Sequence, residues 1–221
     1  MFDIPDFYIN ETFDAQKITM TELELLLSDG WRHFGTLFFR YNLGVYQQEI
    51  RRVIPLRIRL SDLSFSKSQR RNMLRNRDLI VVRKPLSVTA DSHRLFEQHK
   101  LRFTEHIPND ITEFVPMRAV DSPSQTEQFS IYDGEDLIAE SYFDISEKSI
   151  SGIYAMFDQA HSSRGLGIFT MLCEIEYARS LGKDFYYLGY VYEGSSFYDY
   201  KKRFRSTEAF DWKGNWLDFD G

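Results

Sequence analysis

Phe157-Asp158-Gln159-Ala160-His161-Ser162-Ser163-Arg164-Gly165-Leu166-Gly167 is the stretch on which the fold turns. A strand ends at Phe157-Asp158 and a loop with two glycines follows. Ile168, Met171, Leu172, Ile175 and Ala178 then recur at the spacing of one buried helix face, until Gly182 stops the helix. Strand, glycine-bearing loop and helix together make an anion cradle. The glycines let the backbone approach a ligand, the first turn offers free N–H groups, and the helix dipole favours negative charge. Arg164 adds a cation. The same three parts also build an ordinary tight turn, so the ligand must be argued from elsewhere.

On the C-terminal side, Lys183 to Val191 reads as a strand. On the N-terminal side, Phe129–Tyr132, a turn at Asp133-Gly134, Leu137–Ile145 and Ile150–Phe157 read as consecutive antiparallel strands. Val53-Ile54-Pro55-Leu56-Arg57-Ile58-Arg59-Leu60 alternates apolar and basic residues after its proline, a half-buried strand with one charged face. Asp78–Val82 reads as a buried strand and Leu37–Arg40 as another. Thr21-Glu22-Leu23-Glu24 is spelled like a capping box for a short helix ending at Gly30, and Asp91 is the expected cap of a helix carrying Leu95 and Phe96. The expected class is α/β (α+β): a mixed, mostly antiparallel sheet with flanking helices. It is organised as an N-terminal segment over 1–62 and a main α/β domain over 63–221.

The net charge of −6 is unevenly spread. From Arg51 to Lys84 there are eleven Lys or Arg against Asp62 and Asp78, so +9 falls on that segment and −15 on the rest. An acidic chain with one concentrated basic stretch suits a polyanion bound at that place. Ser66–Arg77 holds good helix formers and few apolar residues. Lys67, Arg71 and Arg75 fall at i, i+4 and i+8 with Arg70 beside them, so one helical face is basic. Arg57 and Arg59 could extend that surface towards a phosphate backbone, where each neutralised phosphate releases counterions. A solvated charged face is the other reading of the same residues.

Other chemistries find little support. Cys173 is the single cysteine, so neither an intrachain disulfide nor a cysteine metal cluster is available. His33, His93, His99, His106 and His161 show no metal-ligand spacing, and His99 and His106 read as surface or capping residues. No Gly-x-Ser-x-Gly elbow occurs. Apolar runs are short for a membrane span and no leader pattern opens the chain, which suggests a soluble cytoplasmic protein.

Two segments resemble the arginyl-tRNA–protein transferases and the related bacterial aspartate/glutamate leucyltransferases. One is Pro55-Leu56-Arg57-Ile58 followed by Phe65-Ser66-Lys67-Ser68-Gln69-Arg70-Arg71 and Arg75-Asn76-Arg77-Asp78-Leu79. The other runs from Ile153-Tyr154-Ala155-Met156-Phe157-Asp158 through Arg164-Gly165-Leu166-Gly167 to Tyr187-Leu188-Gly189-Tyr190-Val191-Tyr192-Glu193-Gly194 and Tyr200-Lys201-Lys202-Arg203-Phe204-Arg205. Gly30-Trp31-Arg32-His33-Phe34-Gly35 echoes the family too. The chain departs from it where cysteines are usual. Pro5-Asp6-Phe7-Tyr8 stands for a Pro-Cys-Ser-Tyr-like stretch, Gln47, Ile50 and Val53 for a cluster, and Ser195-Ser196-Phe197-Tyr198 for Cys-x-Lys-Met. Phe204-Arg205-Ser206 replaces a segment ending in proline.

The resemblance implies a GNAT-like acyltransferase fold whose donor is an aminoacyl-tRNA. The acceptor would be the amine of a protein or peptide N-terminus with an acidic first residue, and the product a mark for degradation. No further cofactor or metal is implied. Lys67, Gln69, Arg70, Arg71, Arg75 and Arg57 would contact tRNA. Arg164, Gly165, Leu166 and Gly167 would form the donor cradle. Tyr187, Gly194, Tyr200 and Lys201 would face substrate, and Tyr190 and Glu193 would stand near the reacting groups with Glu193 as proton acceptor. Glu193 reads equally as a structural carboxylate paired with an arginine. Acetyltransferases of this fold carry Gln or Arg first in a Gln/Arg-x-x-Gly-x-Gly loop that holds coenzyme A; here Ser162 takes that place. An acetyl-coenzyme A-dependent N-acyltransferase, or a non-catalytic relative that binds tRNA or protein, therefore remains open.

Overall fold

A computed structural model describes residues 7–103 and 107–219. His106 and the Pro5-Asp6 pair lie outside the described residues.

The first helix is capped two residues before the expected box, at Thr19 and not Thr21. Thr19, in extended backbone, accepts the N–H of Glu22, and the Glu22 carboxylate accepts the Thr19 N–H at 2.7 Å. This reciprocal cap fixes α1 (Met20–Ser28) after β1 (Asn10–Asp14). Glu24, freed from capping, accepts from Ser146 Oγ, Ser149 Oγ and the Lys148 N–H. Strands β2 (Arg32–Phe34) and β3 (Leu37–Tyr41) pair with β1 as a small three-stranded sheet in the order β1-β3-β2.

The main sheet contains, among the described residues, β4 (Leu43–Tyr46), β5 (Glu49–Arg59), β6 (Ile80–Pro85), β7 (Gln125–Asp133), β8 (Asp136–Ile145), β9 (Ser149–Phe157), β10 (Phe185–Tyr192), β11 (Thr207–Phe210) and β12 (Trp216–Asp218). Its order is β12-β11-β5-β10-β9-β8-β7-β6, with β4 laid against the first half of β5. Among the described residues, all pairings in it are antiparallel except β9 with β10. That pair brackets α4 (Leu166–Ser180), so strand, cradle loop and helix form the crossover the sequence promised. The expected α/β class is therefore observed. The division expected at residue 62 falls just after β5, and β5 sits between β10 and β11. Of the first 62 residues, β4 and β5 thus belong to the main sheet, while β1 to β3 form the small one.

Alternation along the strands sends residues to two faces. Leu56, Ile58, Tyr186, Leu188, Ile150 and Phe143 pack against Leu172, Ile175 and Ala178 of α4, and α2 (Lys67–Arg75) lies on α4. On the other face, Leu95 and Phe96 of α3 (Ala90–Lys100) meet Tyr142 and Met156, and α1 with the small sheet covers Tyr187.

Three local expectations change. Thr89, not Asp91, caps α3, because its hydroxyl accepts the Ser92 N–H while Asp91 stays in the exposed first turn. The apolar run after Leu79 is not a buried strand. β6 is the outermost strand, and Ile80 is 53% exposed beside exposed Val81 and Val82. His99 is no surface residue: it is 2% exposed, and its Nδ1 accepts the Phe157 N–H at 3.0 Å, tying α3 to β9. Burial, aided by Arg102, holds its pKa down to about 4.

Candidate active site

The parallel pair β9–β10 is in register only at Ser149/Phe185, Ile150/Tyr186 and Ser151/Tyr187. Beyond it β8–β9 shifts register at Tyr142/Phe143, opposite Gly152, and β5–β10 shifts at Tyr187/Gly189. The two strands part after Ser151 and Tyr187, and the gap opens towards their C-terminal ends. α4 begins at that same end, directly after β9 and its loop.

Two cations stand at this gap. The Arg32 guanidinium donates from Nη1 to Ser151 Oγ at 2.7 Å and lies over the Tyr187 ring at 5.2 Å. The residue is only 8% exposed, and its Nε and Nη2 have no hydrogen-bond partner. β2 is held rigidly here, because His33 Nε2 meets Asp144 Oδ2 at 2.5 Å while Ser124 and Thr126 satisfy the other oxygen. Burial opposes a charge on His33, but Asp144 outweighs it and holds the imidazole above its ordinary pKa.

Lys201 comes from the turn Asp199–Arg203. Its ammonium donates to the Tyr190 carbonyl at 3.4 Å and lies 3.2 Å from where a side chain on Gly189 would begin, so only glycine leaves it that room. Desolvation, reinforced by Arg32, pulls its pKa down to about 7. Further along the segment, Arg102 lies over Phe197 at 4.6 Å and over Phe157 at 5.1 Å. The Tyr154 hydroxyl is buried without a partner, its ring stacked on Phe114.

The expected site residues divide. Lys67, Arg70, Arg71 and Arg75 share an exposed face of α2, and Arg71 and Arg75, with Leu74, Arg77 and Asp78, border a shallow groove. Gln69 does not join them. It is 7% exposed, and its Oε1 accepts the Ser66 N–H at 2.7 Å while Ser66 Oγ accepts the Gln69 N–H, so the Ser-x-x-Gln spelling is a helix cap. Arg57 faces the opposite side of the sheet from α2. It pairs with Glu208 at 2.7 Å and lies over Phe185 and Trp216.

The cradle is tied to α2. Asn72 Nδ2 donates to the Arg164 and Gly165 carbonyls, Asn76 Nδ2 to Arg164 O, and Arg75 to Ser163 O. Arg164 itself pairs with Asp78 at 2.9 Å and Asp133 at 3.4 Å. Leu166 is buried in the core, and Gly167 lies against Phe157.

Tyr190 and Glu193 are tied to the N-terminal part of the chain. The Tyr190 hydroxyl donates to Gly30 O at 2.6 Å, and Glu193 is exposed, 3.9 Å from Arg52. Tyr187 is the floor beneath Arg32. Gly194 is an exposed turn whose carbonyl accepts from Lys202, and Tyr200 packs on the core with its phenol pushed up to about 12 by burial. Sequence reasoning assigned no role to Arg32, Arg102 and Tyr154. Arg32 stands inside Gly30–Gly35, but nothing in a sequence says that a guanidinium will be buried with two of its three nitrogens free.

The family described as arginine-tRNA-protein transferase, C terminus, matches residues 91–211. The aspartate/glutamate leucyltransferase of Stenotrophomonas maltophilia (strain R551-3) is 32% identical over 208 residues, 89% of this chain and 79% of that protein. Its counterpart in Methylobacterium sp. (strain 4-46) is 29% identical over 198 residues, covering 84% and 78%. Among solved structures, FemX superposes with a TM-score of 0.54 at 10% identity over 85% of this chain and 65% of that one, a likeness of fold. The chain belongs to the arginine-tRNA-protein transferase family and is an enzyme of the aminoacyl-tRNA–protein transferase kind.

Proposed function

We propose that the protein transfers leucine from leucyl-tRNA to the α-amino group of a protein whose first residue is acidic. It would do so in the cytoplasm, and the new N-terminus would mark the acceptor for degradation. The observation that carries this reading is the gap between β9 and β10, where Lys201 reaches in past Gly189. The donor ester is already activated, so the enzyme has to position an amine, free it of its proton and stabilise a tetrahedral oxyanion.

Lys201 fits the proton's path. With a pKa near 7 it is substantially neutral at physiological pH, where an ordinary lysine is not. The acceptor ammonium gives one proton to Lys201 Nζ and its nitrogen attacks the ester carbonyl. The bond from that carbon to the ribose oxygen breaks, and the nitrogen's second proton leaves with the ribose hydroxyl. α2 packs on α4 and its preceding loop, and its outer face of Lys67, Arg70, Arg71 and Arg75 is exposed and suits the acceptor stem of tRNA. No further cofactor is required by this chemistry.

The test is incubation with a mixed pool of charged tRNAs and peptides with defined first residues, following each amino acid. Transfer of one amino acid to acidic peptides supports the reading. Acetyl transfer from acetyl-coenzyme A to an amine, without any tRNA-dependent product, would overturn it.

A further inference from the structure

Arg32 carries more than a packing role. Its residue is nine-tenths buried, and among the described residues no acidic side chain pairs with it. Asp144, the carboxylate that acts on it through space, is already occupied by His33, Ser124 and Thr126. A buried cation left this way is costly, since lost hydration is returned only by a partner. The two unpartnered donors, Nε and Nη2, lie on one edge of the planar guanidinium, while the far nitrogen Nη1 is fixed by Ser151 Oγ. Two parallel N–H groups on one edge are the fork that a carboxylate accepts with both oxygens. The Tyr187 ring beneath and the His33–Asp144 clamp on the same strand hold that fork still.

The charge of the surroundings chooses among ligands. The site lies where β9 and β10 part, with Lys201 as a second nearby cation. The aminoacyl end of a charged tRNA presents an amine and no carboxylate, so it offers the Arg32 fork nothing to accept its N–H groups. The phosphates of tRNA belong to the surface, where α2 offers exposed arginines. What remains to enter the gap is the acceptor, whose first residue carries its amine and its side chain close together.

We propose that the Nε/Nη2 edge of Arg32 binds the side-chain carboxylate of the acceptor's first residue and so sets the enzyme's preference for Asp and Glu. This rests on the aminoacyl-transfer reading and deepens it. The carboxylate held there leaves the α-amine on the side of Lys201, so the residue that reads specificity also orients the nucleophile.

The experiment compares wild type with Arg32→Lys and Arg32→Gln on peptides that begin with Asp, Asn, Glu, Gln or Ala. It measures leucine transfer and, separately, peptide binding by calorimetry without tRNA. Wild type should favour Asp over Asn and Glu over Gln. Both variants should lose about a hundredfold in kcat/KM on acidic peptides while changing little on the amides, because lysine keeps the charge but not the fork. Unchanged tRNA affinity shows that a variant is folded. Discrimination preserved in Arg32→Lys and Arg32→Gln would overturn the proposal, as would equal wild-type affinity for Asp and Asn peptides, which needs no variant. Absence of transfer from any charged tRNA, with acidic peptides still bound through Arg32, would instead count against the transfer reaction and leave the carboxylate site standing.

Discussion

Asn72 Nδ2 lies 2.7 Å from the point that a Cβ on Gly165 would occupy. Gly165 has φ +65°, and the same amide donates to the carbonyls on either side of its peptide bond. Gly165→Ala must therefore adopt a left-handed backbone and push aside the side chain that binds α2 to α4. The expected loss is about 2 kcal/mol, from the left-handed penalty plus part of a hydrogen-bond network. Thermal unfolding should show a midpoint lower by roughly 4–8 °C. An unchanged midpoint would mean that α2 and the loop are not coupled.

Replacing Arg70 and Arg71 by Ala should weaken tRNA binding and reduce the slope of log affinity against log salt by roughly 1–2. Both residues are exposed, so stability should change by no more than about 0.5 kcal/mol. Filter binding over a salt series reads the slope. Equal affinity for the double variant and the wild type would remove α2 from the tRNA surface.

Lys201→Met should lower kcat by about 10²–10⁴-fold while leaving tRNA affinity intact. In the wild type, activity should climb as pH rises through about 7, where the amine loses its proton. Stability should move the other way round from an ordinary ion-paired lysine. Its folded pKa lies below the unfolded value, so between about pH 7 and 10.5 the unfolded chain binds the extra proton and stability rises with pH. The methionine variant should be the more stable protein near pH 6, with the difference shrinking as pH rises. A pH–rate profile and urea melts at several pH values check both statements.

Acetyl-coenzyme A at millimolar excess should not raise the thermal midpoint. The cradle loop is bound to α2 through Asn72, Asn76 and Arg75, and Arg164 is committed to Asp78 and Asp133. A ligand at a hundred times its Kd would add about 2.7 kcal/mol, readily seen in a melt. Such a shift would restore the coenzyme A reading.

The protein should purify without stoichiometric iron or zinc, and its activity should survive chelators and mild oxidant. Cys173 is the single cysteine, and burial, with Glu174 and Glu176 nearby, pushes its thiol up to about 12. Its thiolate is therefore scarce at neutral pH and slow towards a thiol reagent. Elemental analysis decides: metal lost together with activity would reveal a site made from other ligands.

The sequence made β7 to β10, α4 and the basic face of α2 legible, because each follows a strict period bounded by glycine or a cap. It failed at β6 for a physical reason: a run of Ile80, Val81 and Val82 looks the same whether a neighbouring strand covers it or not. Glu193 and Tyr190 fitted a strand-end position, but which way a side chain turns there depends on partners far along the chain, namely Arg52 and Gly30. Lys201 was legible through its motif. Arg32 was not, since its burial arises from β2, β9 and β10 meeting, and its vacant edge from what that meeting leaves out.

The position of β5 also bears on how the chain is made. β5 is synthesised early, and only Glu49–Arg52 find a partner at once, in β4; the rest of the strand pairs with β10 and β11, which follow more than a hundred residues later. At ribosomal speeds that interval is on the order of ten seconds, during which the apolar half of the strand, Val53–Arg59, waits unpaired. Its sequence suits the wait: Arg52, Arg57 and Arg59 interrupt the apolar side chains, and Pro55 denies a stray neighbour one backbone donor. Pro55 costs the finished sheet little, because it lies outside the Leu56–Ile58 stretch that β11 covers. The basic residues that make this strand look like a nucleic-acid surface therefore also act as gatekeepers on the nascent polypeptide, before any substrate is met.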